Sequence, residues 1–421
     1  MPHEPATQDS KSTRAKSTST RAKKEREFDI VLIGATGFTG SLTAEYLARH
    51  APVGCRWAVA GRDTAKLEAL RHRLAGIRPE LESDDALPLL RADVTDPASV
   101  RELAARTRVV ATTVGPYIRY GSALVAACAE EGTDYVDLTG EPEFVDLMYL
   151  RHHSRARETG ARIVHSCGFD SVPHDLGTLF TVERLPEGVP LSVDAYVRSN
   201  GAFSGGTYES TLLAFARADR MAKAAKARRA ADPRPEDRSV RTPLGRISRT
   251  PAYTGLDAWA VPLPTIDAQV VGRSAAALER YGPRFRYSEY AALRSLPLTV
   301  GAVAGFGAAF AAAQVPSLRK LLASRLEPGD GPDPERRERS WFSVRFFGEG
   351  GGRRVVTEVS GGDPGYDETS RILSEAALSL ALDPLPETSG QVTTAVAMGG
   401  ALTERLIASG LGFRVVEEYE I

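Results

Sequence analysis

Cysteine is scarce: the 421 residues contain three, Cys55, Cys128 and Cys167, far apart and without a C-x-x-C pair or other metal-ligand spacing. A disulfide framework and a cysteine-based metal site are therefore excluded as organising features, and a reducing cytosol fits this usage. Charge of one sign is lacking as well. With 53 Lys and Arg against 54 Asp and Glu, the net charge is -1, so no global field draws nucleic acid or an anionic membrane, and no nucleic-acid partner is expected. Residues 1–27 hold almost nothing to bury. Their basic, nearly repetitive "KSTRAKSTSTRAKK" predicts a disordered tail. No apolar run follows those charges, so a signal peptide is not expected.

From Phe28 the chain alternates short apolar runs with helix-period segments. "FDIVLIG", "RWAVAG", "LPLLRADV", "RVVATTVG", "DYVDLTG" and "ARIVHSCG" read as strands. Between them lie helices such as "DTAKLEALRHRLA", with Leu67, Leu70 and Leu74 on one face, and "DPASVRELAAR", with Asp96 as N-cap and Pro97 at the first helical position. Alternating strands and helices imply a parallel sheet covered on both faces. The expected fold class is therefore α/β, with a Rossmann-type doubly wound domain over 28–170. A second, α+β domain with a mostly antiparallel sheet is expected over 171–365, signalled by "LSVDAYVRS", "RFRYSEY" and the glycine-rich hairpin in "WFSVRFFGEGGGRRVVTEVSG". A basic helix through "LLAFARADRMAKAAKARRA" and a Pro- and Arg-rich linker separate its strands. Residues 366–421 read as helices returning to the first domain.

Residues 296–316, "LPLTVGAVAGFGAAFAAAQVP", have no charge between Arg294 and Arg319. Their length suits the roughly 20 residues of a bilayer span, but Ala and Gly dominate and Pro297 and Pro316 bracket them. A buried helix is the first expectation, ahead of contact with a lipid surface or acyl chain, and then of a span.

Chemistry first shows in "GATGFTG". Gly34, Gly37 and Gly40 stand between a strand and a helix, where a dinucleotide pyrophosphate needs a tight turn, close backbone and free helix N–H groups. Thr36, Phe38 and Thr39 complete that turn. At the end of the second strand, "AGRD" offers Arg62 where an NAD site would present an acid, and a guanidinium there suits the 2′-phosphate of NADP(H). A contact of about 1.5–3 kcal/mol would favour NADP over NAD by about ten- to a hundredfold. Otherwise Arg62 is a solvated residue and Asp63 a helix N-cap. Asp93 is either an adenine-side contact or a turn acceptor. In "TTVGPYIRYG", Thr113, Gly115 and Pro116 are candidates to face the nicotinamide, and Tyr117 either donates a proton or only packs. No Y-x-x-x-K pair follows, which argues against a short-chain dehydrogenase mechanism.

"GATGFTG", "AGRD", "TTVGPYIRYG", "GTDYVDLTGE", "SCGFDSVPHDLG", "SGGTYEST", "SGGDPGYDETSRIL" and "AMGGALTERL" together resemble the saccharopine dehydrogenase-like oxidoreductases. The closest likeness is to the actinobacterial trans-acting enoyl reductases, and it covers nearly all of 28–415. The resemblance implies NADP(H) as hydride donor and a fatty or polyketide-type acyl thioester as substrate, on coenzyme A or an acyl carrier protein. It also implies a role in glycolipid biosynthesis, in the cytoplasm with peripheral contact at the plasma membrane. The family usually has Thr-Pro where this chain has Thr393-Thr394. Reduction of an enoyl thioester needs a proton donor and an enolate-stabilising group. The candidates are Tyr117, Tyr120, Asp170, Ser171 and His174, with Tyr135, Asp137 and Glu141 at another strand end. Asp170 and Ser171 could instead cap the next helix, and His174 could be an ordinary hydrogen-bonded residue. Two other functions stay open. Saccharopine-type amino-acid chemistry would use the Arg217–Arg249 stretch as carboxylate clamps, and a non-enzymatic NADP(H) sensor or scaffold at a lipid surface would bind without turnover.

Overall fold

The computed structural model describes residues 25–201, 205–232, 235–323 and 331–421. The expected basic tail lies, up to residue 24, outside the described residues. So do 202–204, where "SGGTYEST" begins, and 233–234 of the expected linker.

Six parallel strands form the first sheet: β1 (Phe28–Ile33), β2 (Trp57–Gly61), β3 (Leu89–Arg91), β4 (Thr107–Thr112), β5 (Asp134–Asp137) and β6 (Arg162–Val164). Their spatial order is β6-β5-β4-β1-β2-β3. Every residue of β1 is buried. Helices cover both faces, so this strand is a continuous apolar run instead of an alternation. Asp63 caps the Thr64–Ala75 helix by accepting from the Lys66 amide at 3.2 Å, and Asp96 caps Pro97–Arg106 from Ala98 at 2.9 Å.

The second sheet contains β7 (Leu191–Ser199), β8 (Ser239–Arg241), β9 (Ser248–Arg249), β10 (Trp259–Pro262), β11 (Arg284–Leu293), β12 (Phe342–Gly350) and β13 (Arg353–Gly361). Most pairs are antiparallel, while β11 runs parallel to both β7 and β8. The β12–β13 turn is Gly351-Gly352, with φ of +59° and +76°, the left-handed pair that a two-residue hairpin favours.

Three expectations need correction. The 366–421 segment is more than helices. Asp367–Leu382 does pack against the Phe38–His50 helix and on β1, β4 and β5, but β14 (Gly390–Val392) then joins β6 as a seventh parallel strand. After it, β15 (Gly412–Glu420) pairs with β13 at the edge of the second sheet. β14 is too short to show a period, and β15 is mostly exposed and rich in glutamate, as suits an edge. Secondly, the basic helix is two, Gly205–Ala216 and Ala218–Ala231, broken at Arg217. Thirdly, the apolar segment forms the helix Leu296–Ala313, in which only Thr299 and Ala313 are buried. Phe306 and Phe310 meet Phe215 at 4.9 and 5.4 Å, yet both remain 40 % or more exposed, as do Leu298 and Val300. An apolar composition tells what a helix tolerates, not whether the chain supplies a surface to cover it.

One apolar core runs through both domains. It passes from Ile30 and Val109 through Leu176 and Ile372 to Val193 and Phe346. The Val172–Val182 helix, which follows β6, packs on β12 and β13 of the second sheet.

Candidate functional site

At the end of β1 the chain turns through Gly34, whose φ is +88° and whose N–H donates to the Ala60 carbonyl at 3.1 Å. A Cβ on Gly34 would lie 2.7 Å from Val114 Cγ2, and one on Gly40 would lie 2.1 Å from the Gly34 oxygen. These two glycines are required by the chain itself. Gly37 is different: it is exposed, and a Cβ there would meet no chain atom closer than 3.4 Å. It precedes a helix whose first N–H groups have no side-chain cap. The bare backbone at Gly37 therefore leaves room for something outside the chain, and it fits a pyrophosphate. Thr113 Oγ1 donates to the Gly34 oxygen at 3.1 Å and fixes the turn to the end of β4. Thr36 and Gly115 are exposed beside the turn, whereas Pro116 is buried.

Two residues of the turn face protein. Phe38 packs edge-on against Tyr366 at 4.8 Å, under the Arg337 guanidinium. The Thr39 carbonyl accepts from Thr43 Oγ1 and Ser370 Oγ, tying the turn to the Asp367–Leu382 helix. Arg62 is exposed at the end of β2. Asp93 is a turn acceptor, since its Oδ1 takes the Thr95 amide at 2.9 Å and the Thr95 hydroxyl at 2.7 Å. These bonds, with the nearby Arg62 charge, hold its carboxyl below the usual range.

Tyr117 is not available as a proton donor. Its hydroxyl donates to the Thr112 carbonyl and accepts from the Leu138 amide, both at 3.1 Å, inside the core. Burial and the charge of Asp137 push its pKa well up. Spacing from the strand end could not reveal that the ring points inward. Tyr120, by contrast, is exposed. Glu141 accepts from the Tyr117 and Ile118 amides at 2.8 and 2.9 Å and from Ser210 Oγ at 3.0 Å. Asp137 accepts from Tyr135 Oη at 2.9 Å and from the Thr139 and Ser166 amides at 3.1 and 2.9 Å, and lies 2.7 Å from His165 Nδ1. These bonds hold Ser166 at φ +62°, a strained value for a residue with a Cβ.

The next loop brings a different set together. Asp170 is half-buried against Gly140, and its carboxylate has no hydrogen-bond partner among the described residues. Burial and the neighbouring charge of Asp267 raise its pKa to about 7. Neither Asp170 nor Ser171 caps the following helix, Val172–Val182, and the buried Ser171 hydroxyl has no hydrogen-bond partner among the described residues. His174 is 2 % exposed, and neither ring nitrogen has a hydrogen-bond partner. Burial lowers its pKa to about 4. The expectation of an ordinary hydrogen-bonded histidine therefore fails. Asp267 Oδ1 is 3.5 Å from His174 Nδ1, and Glu289 adjoins them from β11. Both acids are buried and shifted upward by loss of water. Sequence reading missed these two, although Glu289 did leave a signal. It shares the inward face of β11 with Phe285 and Tyr287, where a charge is out of place. Asp175, beside them, is satisfied by Ser274, Thr394 and the Ala395 amide. The Thr394 hydroxyl thus does at this position what proline cannot.

Three kinds of comparison with known proteins agree. Residues 30–164 match the saccharopine dehydrogenase NADP binding domain, so the first sheet is an NADP-binding domain. A protein of Mycobacterium tuberculosis (strain ATCC 25618 / H37Rv), assigned as a trans-acting enoyl reductase, is 42 % identical over 418 residues, covering 92 % of this chain and 97 % of its own. The trans-acting enoyl reductase of Mycobacterium bovis (strain BCG / Pasteur 1173P2) is 38 % identical over 419 residues, with the same coverage. Among solved structures, apo saccharopine dehydrogenase (L-Glu forming) from Saccharomyces cerevisiae matches with a TM-score of 0.54 at 13 % identity, over 92 % of this chain and 99 % of that one, and shares the fold.

Proposed function

The chain belongs to the trans-acting enoyl reductase family of saccharopine dehydrogenase-like oxidoreductases, and from that premise we propose that it reduces the C=C bond of an enoyl thioester in lipid or glycolipid assembly. The observation that carries this reading is Asp170, a carboxyl without a hydrogen-bond partner among the described residues, at the same end of the parallel strands as the glycine turn; burial and the charge of Asp267 raise its pKa to about 7. NADPH, when bound, supplies a hydride to the β-carbon. The chain's own residues do the rest. Gly37 admits the pyrophosphate and Arg62 takes the 2′-phosphate. Asp170 releases a proton to the α-carbon, a task for which a pKa near the working pH is suited.

A groove of about 600 Å³ bordered by Arg101, Arg119, Tyr120, Arg151 and His152 suits the phosphates of either carrier, coenzyme A or an acyl carrier protein. The exposed Leu296–Ala313 helix supports peripheral contact with a lipid surface from the cytoplasm. At about 1.5 Å per residue its length is close to a bilayer core of about 30 Å, but it stays docked on the protein through Thr299, Ala313 and Phe215. Saccharopine-type chemistry is less well supported. Two of the arginines it would use are already paired, Arg217 with Glu143 at 2.6 Å and Arg228 with Asp146 at 3.0 Å.

The deciding assay follows NADPH absorbance with a medium-chain trans-2-enoyl thioester, with saccharopine-pathway substrates in parallel. Oxidation with the enoyl substrate alone is expected. Oxidation with the amino-acid substrates overturns the reading. Silence with both, despite tight NADPH binding, favours a sensor or scaffold.

A further inference from the structure

Thr265 has one hydroxyl proton and faces two carboxylates. Its Oγ1 lies 2.5 Å from Asp267 Oδ2 and 2.5 Å from Glu289 Oε1. A hydroxyl donates once, so one of the two contacts requires a proton from the carboxyl side. Glu289 Oε2 accepts from Tyr287 Oη at 3.0 Å, and Asp267 Oδ1 faces only the His174 ring. Asp267 is 4 % and Glu289 3 % exposed. No Lys or Arg forms an ion pair with either carboxylate among the described residues. Two adjacent buried carboxylates without a counter-cation cannot both ionise at neutral pH without a large desolvation and repulsion cost.

We propose that Asp267 and Glu289 hold a single proton between them across Thr265. Every group packed around the pair is consistent with it. His174 and Asp175 face it from the Val172–Val182 helix, Asp170 and Ser171 from the loop before, and Tyr287 from β11. Asp175 is satisfied by its own donors, and Arg273 bears on Asp175. Asp170 is the acid of this group that solvent reaches, and it feels the charge of Asp267.

A divalent cation is the rival occupant, because His174, Asp267 and Glu289 offer donor atoms within 4.8 Å of one another. One proton completes the Thr265 contacts as they stand. A metal would instead draw on Glu289 oxygens that Thr265 and Tyr287 already use.

The test is infrared spectroscopy of the full chain at pH 7, with glutamate or aspartate carboxyls labelled with carbon-13. A label-sensitive protonated-carboxyl band that survives Asp170→Asn, whose wild-type carboxyl also holds a proton near pH 7, is expected; it is absent when Glu289→Gln is added and shifted by Thr265→Val. The labelled Asp170→Asn protein decides the matter even if a further variant fails to fold. Complete ionisation of both acids, or one equivalent of divalent metal in the purified protein, overturns the proposal. A band in a protein that turns over no enoyl thioester leaves the shared proton standing and removes the reductase reading alone.

Discussion

Asp137 and Asp267 are both buried carboxylates close to the ends of strands, and they are equipped in opposite ways. Asp137 takes three hydrogen bonds from Tyr135, Thr139 and Ser166 and holds the His165 ring. Asp267 has the Thr265 hydroxyl on one oxygen, while its other oxygen faces a histidine with no bonded partner. A fully satisfied polar network fixes a shape, whereas a half-satisfied one stores unfavourable energy that only a function justifies. The same contrast separates Gly40 from Gly37 and Tyr117 from Asp170. In each pair the first residue is used up by the fold and the second is left for something else.

Each pair can be broken by experiment. The largest effect belongs to Asp137→Ala, which strands four groups in the core and should cost about 4 kcal/mol in urea unfolding. Asp267→Asn should cost little at pH 7; equal losses would dissolve the distinction. Next come the glycines. Gly37→Ala is expected to keep the melting temperature and lose about a hundredfold in NADPH affinity, about 2.7 kcal/mol, by fluorescence titration. Gly40→Ala should lose the folded turn as well. Tyr117→Phe should destabilise by about 1–3 kcal/mol and retain turnover per folded molecule, whereas Asp170→Asn should retain stability and lose turnover. Swapped outcomes would restore Tyr117 as the acid.

The smallest effects are in pH dependence, and their signs are opposite. Asp170 has its pKa raised to about 7. Its contribution to stability is therefore full below the unfolded value of about 4 and is lost as pH rises through 7. His174 is lowered to about 4. Its contribution is full above the unfolded value of about 6.5 and is lost as pH falls through 4. Both contributions change between about pH 4 and 7, so Asp170→Asn should remove a fall in stability with rising pH across that window and His174→Gln should remove a rise.

How much of this could be read beforehand depended on distance along the chain. The six strands, the hairpin and the glycine turn are local patterns, and the NADP-binding sheet follows from them. Asp170 and His174 were visible because they fall in one short motif, "GFDSVPHDLG". Asp267 and Glu289 come from segments about a hundred residues further on, and only the fold brings them to His174. Tyr117 was misjudged because strand-end position does not fix the direction of a side chain. The Leu296–Ala313 helix was expected to be covered because hydrophobicity does not reveal which surface is present to cover it.

The chain's return to the first sheet has a consequence in time. The Asp367–Leu382 helix covers β1, β4 and β5, and β14 closes the β6 edge. During synthesis, therefore, the nucleotide-binding domain, though encoded first, is not complete until Val392 has been made. Until some 220 further residues have left the ribosome, Ile30 and Val109 lack part of their cover and β6 presents an open edge. A nascent chain in that state is open to chaperones and to mispairing, and a fragment ending at residue 365 would remain there.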